Sequence, residues 1–196
     1  MSHYIRWLEV GEPGYYRILE YIQCLKKVVK WGDRILELGA YMPVISDYFR
    51  QYYGCETIYA GIENETPETA HLFRKINMCT DDFGEGWDIV TATEVMEHLP
   101  CNLYRVRDKL IAAVRPSGYL LVTAPVAGIG RGDTKLEDEI EGDWDKGFEH
   151  IKEFRNVEEF KSLFEGRSLE IVDEWFSESR VVGEGSYLYN TLYRKN

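Results

Sequence analysis

Hydrophobic residues along this chain switch repeatedly between helical and strand spacing. From Tyr15 to Val29, Ile18, Leu19, Ile22, Leu25, Val28 and Val29 recur at the spacing of one helix face. Gly32-Asp33 breaks the run, and Arg34 to Leu38 reads as a short buried strand ending at Gly39. Pro43 to Tyr53 predicts a helix, and Thr57 to Ile62 a second strand closed by Glu63. Thr66 to Arg74 predicts a helix with Thr66 as N-cap and Pro67 at its first position. A short strand over Lys75 to Met78 and an acidic turn over Asp81 to Gly86 follow. Asp88 to Thr93 is the fourth strand, Cys101 to Val114 a helix closed by Pro116-Ser117-Gly118, and Tyr119 to Ala124 a fifth strand halted by Pro125. Asn156 to Phe164 reads as an Asn-capped helix, with closing strands at Leu169 to Trp175 and Tyr187 to Tyr193. Strands alternating with helices predict an α/β domain, a mostly parallel sheet covered by helices.

One stretch adds chemistry to this rhythm. In WDIVTATEVMEHLP, residues 87–100, an apolar strand runs into Thr91, Thr93, Glu94, Glu97 and His98. A helix starting there would place Glu94, Glu97 and His98 on one face, at i, i+3 and i+4. Ligands in open α/β sheets bind at the carboxyl ends of strands, so the stretch marks a candidate site. Residues 127–149, rich in Gly, Asp and Glu, read as a solvated loop or as an acidic lid over that edge.

Composition narrows the function. With 196 residues, 44% of them hydrophobic, the chain suits one domain spanning 1–196, with 1–30 as an N-terminal helical segment. A net charge of −11 argues against broad nucleic-acid or anionic-membrane surfaces. Arg105, Arg107, Lys109 and Arg115 read as solvated positions along one helix. Cys24, Cys55, Cys79 and Cys101 form no C-x-x-C pair, which supports neither a zinc ribbon nor a dense disulfide framework. No run approaches the ~18 apolar residues needed to span a bilayer, and no signal peptide is evident, so a cytoplasmic protein is the expectation.

WGDRILELGAYMP is a strand running into a glycine turn and a helix, the geometry by which backbone approaches a nucleotide-like ligand. Glu63, at the end of the next strand, is placed to accept both hydroxyls of a ribose.

With these segments in order, the chain resembles the class I S-adenosylmethionine-dependent methyltransferases over roughly residues 30–196. ILELGAY is similar to the family's first motif, which takes the methionine portion of the cofactor, and IYAGIE to the second strand with its ribose acid. KINMCTDDFGEGWDIVTATEVMEHLP resembles the third-to-fourth strand block, with a polar residue beside the adenine. LIAAVRPSGYLLVTAPV resembles the following helix and strand. FEHIKEFRNVEEFKSLFEG loosely resembles the segment before the last strands, departing at Arg155 and Glu159. Of the family's three motif glycines only Gly39 is present; Tyr41 and Pro43 stand at the other places.

The resemblance implies a Rossmann-like three-layer sandwich with a seven-stranded, mostly parallel sheet and an antiparallel last strand. It implies S-adenosylmethionine held by Glu37, Gly39, Ala40, Tyr41, Glu63, Asn77, Met78, Thr93 and Glu94. Methyl transfer then needs an aligned acceptor and, for oxygen, removal of a proton. His98 is the first candidate base, with His150 and Glu97 beside it, because an imidazole titrates near neutrality. The acceptor expected is an oxygen, with nitrogen second, of a small molecule such as a sugar or other metabolite. Trp144, Phe148, Tyr41 and Tyr187 are candidate pocket walls. Two alternatives stand beside this. Glu94, Glu97, His98 and His150 resemble the metal set of small-RNA 3′-end 2′-O-methyltransferases, though neither metal nor RNA is favoured; the other is a non-catalytic binding module.

Overall fold

A computed structural model describes residues 13–40, 43–62, 67–126, 135–140, 150–152, 154–178 and 187–196. Its elements are α1 (Pro13–Leu25), β1 (Arg34–Leu38), α2 (Val44–Tyr53), β2 (Glu56–Gly61), β3 (Phe73–Lys75), β4 (Trp87–Thr93), α3 (Leu103–Ala113), β5 (Val114–Val126), α4 (Val157–Phe164), β6 (Leu169–Glu178) and β7 (Tyr187–Lys195). The seven strands lie in the order β3-β2-β1-β4-β5-β7-β6. Pairings among β1 to β5 are parallel, while β7 runs antiparallel to both β5 and β6. The expected sheet, with its antiparallel last strand, is the one found.

Chain order explains where a ligand would sit. From β1 the chain winds outward through β2 to the β3 edge, then returns to β4 beside β1 and winds the other way through β5. The carboxyl ends of β1 and β4 therefore flank the point where winding reverses, which leaves a crevice there.

Helices cover both faces. Leu36 and Leu38 of β1, Val90 and Ala92 of β4, and Leu120, Val122 and Ala124 of β5 pack with α3 and α4. Alternate residues Ile35, Ile89 and Leu121 point the other way, against α1 and α2. The two-residue alternation of a doubly covered sheet is thus legible strand by strand.

Several local expectations are corrected. Among the described residues of 66–74 there is no full helix but a 3₁₀ segment, Pro67–Leu72, and the third strand comes earlier, at Phe73–Lys75 rather than Lys75–Met78. Pairing of Phe73 with Tyr59 fixes where β3 begins, and the Tyr59 hydroxyl lies 2.8 Å from Thr69 Oγ1. Too few residues remain before the strand for helix propagation to outweigh its nucleation cost. The helix after β4 starts at Leu103, where Asn102 accepts a hydrogen bond from Tyr104 N, not at Cys101. β5 does not stop at Pro125, which pairs with Leu188 of β7. Proline is tolerated there because β4 has already ended, its last pair being Thr93 with Thr123.

The basic residues are not all solvated. Arg107 is buried and donates from Nη1 to Leu163 O at 2.5 Å, tying α3 to α4. Lys109 Nζ donates to Met78 O and Asp81 O, and Arg115 lies on β5, paired with Asp88. A disulfide joins Cys79 to Cys101, linking the turn after β3 to the residues before α3. Their separation of 22 residues carries no pairing signal in the sequence. No described helix is long and apolar enough to cross a membrane. Of residues 127–149 the structure describes 135–140. There Leu136 is buried, Leu103 N donates to Leu136 O at 2.9 Å, and Ile140 N donates to Pro100 O at 2.8 Å.

Candidate active site

Glu37, Gly39 and Ala40 stand at the end of β1, and Thr93 and Glu94 at the end of β4, on either side of the crevice. Gly39 has φ of +72°, and a Cβ there would lie 2.3 Å from Val95 Cγ2. Both the turn and the close approach exclude a side chain, so the loop after β1 rests directly on the residue following Glu94.

Glu37 does not pair with Arg34. Its buried carboxylate accepts from Ser46 N at 2.8 Å, at the start of α2. Pro43, at the N-cap, offers no side-chain cap, so the strand acid satisfies an amide that the helix leaves open. Burial pushes its pKa up to about 7, against the lowering effect of the Ser46 and Ile45 groups.

The expected helix over Glu94, Glu97 and His98 is absent. Glu94 has φ of +52°, a left-handed conformation uncommon outside glycine, and only Met96–His98 form a 3₁₀ turn. Glu94 N is held by Thr123, at 3.0 Å to Oγ1 and 3.2 Å to O, and Leu99 is extended ahead of Pro100, which ends the turn. The two glutamates are thereby sent in different directions. Glu94 turns to α1, where its Oε1 lies 3.1 Å from Arg17 Nε and accepts from the Tyr21 hydroxyl at 3.1 Å. Burial, then the Glu94 charge, raise the Tyr21 pKa well above its ordinary value.

Glu97 is 1% exposed, with Oε2 making no hydrogen bond. Burial foremost, with the Glu94 charge adding to it, pushes its pKa up to about 8. Its backbone oxygen accepts from Ile151 N at 2.7 Å and Lys152 N at 2.9 Å. Lys152, itself buried, anchors that segment through Nζ to Lys135 O and Asp138 O. These bonds bring His150 across a sequence gap of about fifty residues onto His98, with ring centroids 4.9 Å apart and edge to face. His98 Nε2 lies 3.9 Å from Glu97 Oε1, and ligand atoms of Glu97, His98 and His150 all fall within 4.8 Å of one another. Of the four-residue metal set, three converge; Glu94 is engaged elsewhere.

Asn77 and Met78 follow β3 at the same edge. Asn77 Oδ1 accepts from Cys79 N, its own N donates to Asp81, and Met78 is buried. Tyr41, Glu63, Trp144 and Phe148 lie outside the described residues, and Tyr187 is half exposed on β7. Sequence reasoning missed Arg17 and Tyr21. They lie four apart on α1 beside the apolar Ile18, Ile22 and Leu25, and that placement was the available signal. Their partner Glu94 is 73 residues from Tyr21, which pattern alone does not connect.

A family model for a methyltransferase domain matches residues 14–174. The chain belongs to this methyltransferase family. It is an S-adenosylmethionine-dependent methyltransferase of class I fold. Among solved structures it is similar to an S-adenosylmethionine-dependent methyltransferase from Methanosarcina mazei, at 16% identity and TM-score 0.63 over 88% of this chain and 96% of that one. It is similar to coclaurine N-methyltransferase bound to N-methylheliamine and S-adenosylhomocysteine, at 11% identity and TM-score 0.67 over 90% and 72% of the two chains. The [4+2]-cyclase SpnF aligns as well, at 13% identity and TM-score 0.64 over 91% and 80%. Such distant likenesses speak for the fold alone, and the cyclase shows that the methyltransferase fold hosts other chemistry. A search of curated proteins finds no match.

Proposed function

We propose that this methyltransferase transfers a methyl group to an oxygen of a small molecule, such as a sugar or another hydroxylated metabolite. The observation carrying this reading is the pairing of His98 and His150 beside Glu97 at the carboxyl end of β4. A hydroxyl is a poor nucleophile while it holds its proton, and paired imidazoles offer a place for that proton.

The cofactor supplies an electrophilic methyl on a sulfonium. Glu37, Gly39, Ala40, Tyr41, Glu63, Asn77, Met78, Thr93 and Glu94 would hold it, from the ends of β1, β2 and β4 and the turn after β3. The orphaned donors of Arg17 beside Glu94 fit a polar ligand at this crevice. His98 takes the acceptor proton, and His150, edge-on to it, fixes the imidazole plane and shields it from water. Glu97, with its raised pKa of about 8, is held mostly protonated at neutral pH and orients His98 without adding a full charge. A cytoplasmic setting is part of this reading.

A second reading rests on the same trio, which could hold a divalent metal through one carboxylate and two imidazoles. The test is S-adenosylhomocysteine formation from S-adenosylmethionine in the presence of pooled sugars, phenols, amines or RNA 3′ ends, with and without EDTA. Turnover on hydroxyl compounds that survives EDTA is expected. Loss in EDTA with recovery on added Mn²⁺ would establish the metal reading, and turnover on amines alone would overturn oxygen as acceptor. Failure to bind S-adenosylhomocysteine calorimetrically would favour a non-catalytic module.

A further inference from the structure

Lys152 is fully buried, and its side chain ends on main-chain oxygens. Nζ donates to Lys135 O at 2.8 Å and to Asp138 O at 2.6 Å. Its amide donates to Glu97 O at 2.9 Å, next to Ile151 N at 2.7 Å. One residue thus holds two segments that lie far apart in sequence. Residues 135–138 form a turn closed on itself: Asp138 N donates to Lys135 O at 3.2 Å, and Lys135 N to Asp138 Oδ2 at 2.8 Å. Buried Leu136 seats that turn, and the bonds from Leu103 N to Leu136 O and from Ile140 N to Pro100 O dock it beside the residues that follow His98. Beyond Lys152, buried Phe154 bridges to Val126 at the end of β5.

We infer that Lys152 is a positioning residue for methyl transfer: it fastens residues 135–140 to residues 150–152, so that His150 stands against His98 only while 135–140 is docked. The inference rests on the reading of His98 and His150 as the groups facing the acceptor, and it adds the residue that assembles them. Three observations support it. His150 lies two positions before Lys152, and the two amide bonds to Glu97 O set that short stretch against the turn carrying His98. Those amide bonds need no particular side chain at 152, so what the ammonium itself contributes is the link to 135–140. A buried ammonium is costly unless its donors are met and its charge is offset. Here two carbonyls meet donors, and Asp138, Glu137 and Glu139 of the same segment supply the opposite charge.

Lys152→Met keeps an unbranched apolar stem and removes only the ammonium, which makes it the variant of choice. The chain has four histidines, so ring signals of His98 and His150 can be assigned by NMR with labelled histidine. The unmodified chain is expected to show a ring-to-ring NOE between them, from centroids 4.9 Å apart. Lys152→Met should lose that NOE. It should also be cut by a glutamate-specific protease at Glu137 and Glu139 about 10–100-fold faster, the range of a hydrogen bond to a charged group. Calorimetric binding of S-adenosylhomocysteine should stay within about twofold, as for a site distant from the substitution. An NOE and cleavage rate unchanged from the parent would overturn the inference. So would loss of the NOE with a parallel loss of S-adenosylhomocysteine binding, because Lys152 would then only support the fold. Should Lys152→Met fail to fold, amide exchange in the unmodified chain decides. The amides of Leu103, Ile140, Ile151 and Lys152 are expected to open together as one unit, and independent opening would overturn the inference. Failure of the acceptor reading is separate: His98→Ala with full turnover would sink that reading and leave the NOE result as it stands.

Discussion

On the face covered by α3 and α4, Leu36, Leu38, Val90, Ala92, Leu120, Val122 and Ala124 keep β1, β4 and β5 apolar throughout. On the face covered by α1 and α2 the same strands begin apolar, at Ile35, Ile89 and Leu121, then turn polar toward their carboxyl ends at Glu37, Thr91 and Thr123. One face answers only to packing. The other gives up apolar burial toward the carboxyl ends of the strands, where Thr91 Oγ1, Glu97 Oε2 and the Arg17 donors are buried without hydrogen-bond partners.

Four experiments would break or sharpen this contrast. The largest effect is expected at His98. His98→Ala should lower kcat by about 10²–10⁴-fold, the range for a proton-transfer group, with thermal unfolding little changed. If activity survives, the polar edge is not the catalytic one. Leu120→Ala, on the apolar face, should cost about 2–5 kcal/mol in denaturant unfolding while the folded fraction binds S-adenosylhomocysteine normally. Weakened cofactor binding by the folded protein would mean that the two faces are not separable.

Glu97 tests the electrostatic side of the contrast. Its folded pKa of about 8 lies above its ordinary value of 4.5, so the folded state holds the proton more tightly than the unfolded chain. Its contribution to stability is full below about pH 4.5 and is lost as pH rises through about 8. Glu97→Gln should therefore gain on the parent protein across that window, by on the order of a few kcal/mol at pH 8, in unfolding curves taken at several pH values. A constant difference between the two proteins would show that Glu97 ionises freely. The smallest effect belongs to the outer rim, where Lys27 Nζ meets Asp173 at 2.6 Å with Lys27 well exposed. Lys27→Ala should cost under about 1 kcal/mol and shrink further in high salt.

How far the site was legible follows its individual residues. Gly39 and the WDIVTATEVMEHL stretch could be found because each joins a strand pattern to a chemical break in it. The helix expected over Glu94 to His98 failed because Thr123, a neighbour on β5, captures Glu94 N and a left-handed residue intervenes. His150 was a lone histidine in sequence; its approach to His98 depends on two amides donating to Glu97 O and on the buried Lys152 anchor. Arg17 and Tyr21 had no signal beyond their place beside an apolar helix stripe.

The sequence by itself determined the alternation of strands and helices and the covered parallel sheet, and it proposed the sheet edge at which a site would lie. Hydrophobic periodicity and glycine placement are local properties, and a mostly parallel sheet leaves few ways to arrange them. Only the tertiary structure decided which polar groups meet: Glu94 with Arg17 and Tyr21, Glu97 and His98 with His150, and Glu37 with the start of α2. Those pairings span up to 77 residues, from Arg17 to Glu94, and depend on backbone bonds and burial that no local pattern encodes.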